Sequence, residues 1–146
     1  MPFLPPAWLG ALACAVNFGS LLFNAGFTRA AAITALDSNV FSTFGQFMLL
    51  VWGVAFAAAG ARDDGRSLVW FAFAVEKSVY VAVWATWHFS HEITAVWSDA
   101  QKSGDVLDLL APAFIILYGV VDLTFFLLFM VQGLAALAPP ATKKKR

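Results

Sequence analysis

Glu76 and Lys77 stand side by side inside FAFAVEKSVYVAVWATWHFSHE, residues 71–92, a run otherwise apolar enough for a lipid bilayer. Charges at that depth are expensive, so each must face protein or water, and each marks a functional site by default. On a helix, Glu76, Tyr80, Trp84, Trp87 and His91 fall within about 80° of one another at about 100° per residue. They form one stripe, from a buried acid past a phenol and two indoles to an imidazole at the far edge.

The rest of the chain fits that setting. Of its 146 residues 61% are hydrophobic and only 12% charged, whereas soluble domains are close to half apolar and a quarter charged. Mean hydropathy is +0.77. This composition predicts an all-α, polytopic membrane protein: an antiparallel four-helix transmembrane bundle forming a single domain. Formal net charge is zero, so overall charge points to no nucleic-acid partner. The single cysteine, Cys14, cannot form an internal disulfide and reads as a small buried hydrophobe.

Four apolar runs supply the spans, at about residues 7–27, 40–60, 68–90 and 109–138, each near or above the roughly 20 residues a bilayer requires. Pro5 and Pro6 suit the start of the first helix. No Lys or Arg precedes that run and it continues past Ala15, so it reads as a retained span, not a cleaved signal. Asn17, Ser20 and Asn24 share one of its faces. Residues 28–39 connect to the second span, with Asp37, Ser38 and Asn39 as candidate N-caps. The second span carries Gln46 as its strongly polar interior residue. Gly45, Gly53 and several alanines let another helix approach it closely.

A polar turn, GARDDGRS, leads to the third span. Helical spacing of Ile93, Val96 and Trp97 predicts that this helix continues along the membrane surface to about Ala100. Asp105 and Asp108 then place acid at the positive end of the fourth helix, and Pro112 lies near its first turns. Arg62, Arg66 and the tail Lys143, Lys144, Lys145 and Arg146 fall on one side of a four-span chain, against Arg29 and Lys102 on the other. The positive-inside rule therefore puts both termini in the cytoplasm, with a bacterial inner membrane as the expected location, or the endoplasmic reticulum in a eukaryote.

Helical rise sets the levels of the buried polar groups. Glu76 lies roughly 12 Å, Asp122 about 9 Å and Asn17 about 15 Å above the cytoplasmic boundary of a core about 30 Å thick. Tyr80 and Tyr118 fall one turn outward of the acids. Glu76, Lys77, Tyr80, Tyr118, Asp122 and Asn17 are thus the expected polar network or ligand and proton site. Asn24, Gln46, Trp84 and Trp87 are expected to line a secondary pocket. One lysine cannot neutralise two carboxylates, so the cluster must hold a proton or recruit a cation. His88, His91 and Glu92 supply three metal-ligand types on adjacent turns, but they have no fourth ligand and no HExxH spacing, and they read better as surface groups. Trp70, Trp87 and Trp97 are candidate interface anchors. No cofactor and no catalytic group is expected.

FGQFMLLVWGVAFAAAG, FAVEKSVYVAVWATW and LYGVVDLTFFLLF together resemble a group of small bacterial four-helix membrane proteins with a WG-containing second span, an EK–Y–W third span and a YG–x–x–D–x–x–F fourth span. The resemblance covers most of the chain and implies the same bundle, but transfers no function. Four spans also invite comparison with the sterol-isomerase/sigma-2 family and with small multidrug transporters. The motifs of neither occur here, and the transporters' first-span glutamate has only Asn17 in its place. The function expected is a non-enzymatic membrane protein that binds an apolar or amphipathic ligand between its helices or serves as a subunit of a membrane assembly. The alternative is a dimeric proton-coupled transporter using Glu76 and Asp122.

Overall fold

The computed structural model describes residues 4–23, 30–62, 67–104 and 106–137, and all regular structure among them is helical. The helices are α1 (Pro6–Leu22), α2 (Ala30–Leu36), α3 (Thr43–Gly60), α4 (Ser67–Ser90), α5 (Ile93–Lys102) and α6 (Val106–Leu137). By length and composition α3, α4 and α6 could each cross a membrane; α1 is apolar but is 17 residues long as described. Asn24 and the basic tail lie outside the described residues.

Two antiparallel pairs, α1 with α3 and α4 with α6, make the closest backbone approaches. Glycine permits close packing in both pairs. A Cβ on Gly10 would strike the carbonyl oxygen of Phe56 and lie 2.7 Å from the Cα of Gly60, so α1 and α3 touch backbone to backbone. In the other pair the Trp84 ring occupies the space a side chain at Gly119 would need.

Aromatic rings join the two pairs. Phe56 of α3 meets Phe73 of α4 edge-on at 4.8 Å and Phe129 of α6 at 5.2 Å. With Leu9, Ala13, Trp70 and Phe125 they form one apolar cluster near the turn between α3 and α4. A second cluster at the other end combines Ile33, Val40, Phe41, Trp87, Ala111, Ile115 and Tyr118. The polar side chains of Asn17, Glu76, Lys77 and Asp122 occupy the level between.

Several boundaries differ from the sequence expectation. Ser42, not Asp37, Ser38 or Asn39, caps α3, its hydroxyl accepting the Gly45 N–H at 3.1 Å. Residues 37–41 instead turn back and bury Val40 and Phe41. The third long helix does not run on to Ala100: it stops at Ser90, and Glu92, in extended conformation, starts the separate α5, which packs against α6. Trp70 and Trp87 are buried within the chain, whereas Trp97 is exposed. Pro112 is accommodated in the second turn of α6, fully buried.

Candidate functional site

Lys77 is the centre of the polar level. It is 2% exposed, and its position on α4 points the ammonium at three oxygens: Asp122 Oδ1 at 2.8 Å, Asn17 Oδ1 at 3.5 Å and Glu76 Oε1 at 3.6 Å. An ammonium has three protons, and these acceptors come from α1, α4 and α6. The rings of Phe56 and Tyr80 add cation–π contacts, with centroids 5.3 and 5.5 Å from Nζ. Asn17 carries the link onward, donating from Nδ2 to the Leu49 carbonyl of α3 at 3.2 Å. Its two partners fix the amide orientation, oxygen to the ammonium and nitrogen to the carbonyl. One charged side chain thereby ties four helices at one level.

The two carboxyls are not equivalent. Asp122 makes the short contact with Lys77. Glu76 is deeper, with its side chain 4% exposed, and only Oε1 faces the ammonium. Its Oε2 is buried without a hydrogen-bond partner. A buried acceptor left unmatched costs about 1–3 kcal/mol, so this oxygen is a weak point in the cluster.

Two cavities adjoin this level and run from it toward the α2 end. The smaller, about 130 Å³, is bounded by Asn17 and Ser20 of α1 and by Phe41, Leu117, Tyr118 and Asp122. The larger, about 330 Å³, runs between α3 and α4, with Phe44, Met48 and Trp52 on one wall and Glu76, Val79 and Tyr80 on the other. Tyr80 and Val40 border both. The outward-facing Phe44, Val79 and Leu117, more than half exposed, stand at the mouths, so both spaces open between helices.

The other sequence candidates are distributed as follows. Tyr118 does not join the lysine: its hydroxyl donates to Asp37 Oδ2 at 2.8 Å, although its ring lines the smaller cavity. Trp84 donates from Nε1 to the Ile115 carbonyl at 3.1 Å, and Trp87 to the Leu36 carbonyl at 2.6 Å. Gln46 reaches the Phe41 carbonyl at 3.4 Å. These three side chains brace the end of the bundle near α2 and lie outside these two cavities, and Trp87 lines a separate space of about 510 Å³ with Asn39, Val83 and His91.

His88 stacks on Trp84, and His91 stacks on Trp87 with Nδ1 at 2.8 Å from the Trp87 carbonyl. Glu92 starts α5. The three do not converge, and no group of three or more His, Cys, Asp or Glu able to hold a metal occurs among the described residues.

The residue that sequence reasoning misses is Asp37. It is 2% exposed and fully engaged: Oδ1 accepts the Asn39 and Val40 N–H groups while Oδ2 accepts from Tyr118. A signal is present in Tyr118 itself, a mid-span phenol one turn from an acid already claimed by lysine. Compared with protein-family models, curated proteins and solved structures, the chain matches none.

Proposed function

We propose that the chain is a four-span integral membrane protein with both termini in the cytoplasm, and that it takes an amphipathic ligand from the bilayer into the spaces beside Lys77. α3, α4 and α6 have the length and apolarity to span. The first apolar run, of which α1 is the described part, supplies the fourth crossing, and the Lys and Arg distribution supports the orientation. One observation carries the ligand reading: cavities between the helices reach from outward-facing apolar side chains to buried polar groups. A mostly aromatic, partly enclosed space with a few convergent polar atoms is the usual form of a ligand site between bundle helices.

Native mass spectrometry of the protein extracted from its own membrane tests this. The expected result is a small-molecule adduct at unit stoichiometry. A bare chain would overturn the reading, and a bare chain bound to another protein would replace it with a role as an assembly subunit. A second reading, proton-coupled transport by a dimer, draws support from the two carboxyls that share one ammonium. Proton flux into proteoliposomes, lost in Glu76→Gln, is its signature.

A further inference from the structure

The larger cavity has a chemical preference that the smaller lacks. In the smaller one the main polar side chains each have a close partner: Asp122 Oδ1 has Lys77 at 2.8 Å, Tyr118 has Asp37, and Asn17 has Lys77 and the Leu49 carbonyl. In the larger one the Glu76 carboxyl is matched on one oxygen only. Among the described residues, the side chains that line it include the rings of Trp52, Phe44 and Tyr80, and no Lys, Arg or His. The terminal torsion of a glutamate is soft, so a rotation of the carboxyl can bring an oxygen to the cavity while the other stays near Lys77.

We infer that the α3–α4 cavity binds a lipophilic organic monocation, an amine or quaternary ammonium on an aliphatic tail. The proposal rests on the amphiphile-binding reading above and names its chemical class. Charge fixes the sign. One ammonium can answer only one of the two carboxylates, so the other must hold a proton or take a second cation, and a bound monocation gives each carboxylate its own counter-charge. Aromatic faces attract the same group: cations sit over Trp and Tyr rings within about 6 Å of the centroid. The cavity's volume, about 330 Å³, falls at the small end of ligand sites, about 300–1,000 Å³. It accepts a small head group with the first part of its chain, while the rest of the tail leaves past Phe44 and Val79 into lipid.

The test is calorimetric titration of the full chain in uncharged maltoside micelles with dodecyltrimethylammonium and, separately, dodecanol. Val79→Phe obstructs the mouth of the cavity without touching the charges and supplies the background for partition into micelles. The expected result is that the cation binds the native protein at least tenfold more tightly than the alcohol and that Val79→Phe abolishes this binding. Glu76→Gln should bring the two ligands to similar affinity. If the alcohol binds the native protein as tightly as the cation, and Val79→Phe blocks both, the cation proposal fails while the amphiphile reading stands. If neither ligand exceeds the Val79→Phe background, both fail. The comparison of cation with alcohol on the native protein decides the matter even where Glu76→Gln does not fold.

Discussion

The hydroxyl of Tyr118 donates a 2.8 Å hydrogen bond to Oδ2 of Asp37, a residue 81 positions earlier in the chain. This bond fastens the segment between α2 and α3 to the middle of α6. It works beside the indole of Trp87, which holds the Leu36 carbonyl one residue away. The connection is therefore part of the bundle's interior: Asp37, Val40 and Phe41 are all buried.

Tyr118→Phe removes one of three donors to a buried carboxylate and is expected to lower stability by about 1–3 kcal/mol. Asp37→Ala should cost more, because it also strips the acceptor from the Asn39 and Val40 N–H groups. Thermal unfolding in detergent of both single variants and the double variant checks this. The double loss should fall short of the sum, and strict additivity would mean that the two residues do not interact.

Lys77→Met should destabilise the fold by about 3–5 kcal/mol, the range for removing one partner of a buried pair, and not by the 0–1 kcal/mol or so of an exposed one. It leaves Asp122 and Asn17 without their cation. Adding Asp122→Asn should restore part of the loss. The same unfolding assay reads the cycle, and a double variant no more stable than Lys77→Met refutes the coupling.

Gly10 and Gly19 lie on the same helix but should respond oppositely. Gly10→Val drives a side chain into the α3 backbone, which cannot rotate aside. Overpacking typically costs about 1–3 kcal/mol, and this site belongs at the upper end or beyond. A Cβ on Gly19 meets nothing within 4 Å, so Gly19→Ala should be neutral or stabilising by about 0.5–1 kcal/mol through helix propensity. Equal melting temperatures for the two variants would contradict the close α1–α3 contact.

Reporter fusions check the orientation. A fluorescent protein fused after Arg146 should light up in the cytoplasm, and alkaline phosphatase inserted at Gln101 should be active outside it. The reverse pattern would invert the proposed topology.

The level at which Lys77 and Asp122 meet is legible in the sequence, because rise per residue converts position in a span into depth. Depth says nothing of direction round the helix axis. Tyr118 and Asp122 sit one turn apart on α6, yet the aspartate turns to Lys77 and the tyrosine hydroxyl to Asp37. Asp37 looks like a helix cap because Asp, Ser and Asn precede an apolar run. Nothing local signals that residues 37–41 dip into the core, since that path depends on where α6 lies. The break at Glu92 is likewise hidden: Ile93, Val96 and Trp97 keep helical spacing across it, and a pattern of apolar positions does not register a change in axis direction.

The long sequence separations in the polar level set an order of assembly. A chain emerging at roughly 5–20 residues per second delivers its first helices well before their partners. Asn17 must wait 60 positions for Lys77, and Asp37 must wait 81 for Tyr118. For several seconds the early hairpin carries an Asn17 oxygen without its lysine and an Asp37 carboxylate without its phenol, and Lys77 in turn meets its closest partner, Asp122, only when α6 arrives. Of the described helices, the last to be synthesised is thus the one that closes the polar level. A ribosome stalled before it would leave a fragment in which Lys77 lacks its 2.8 Å ion pair and Asp37 its phenol donor.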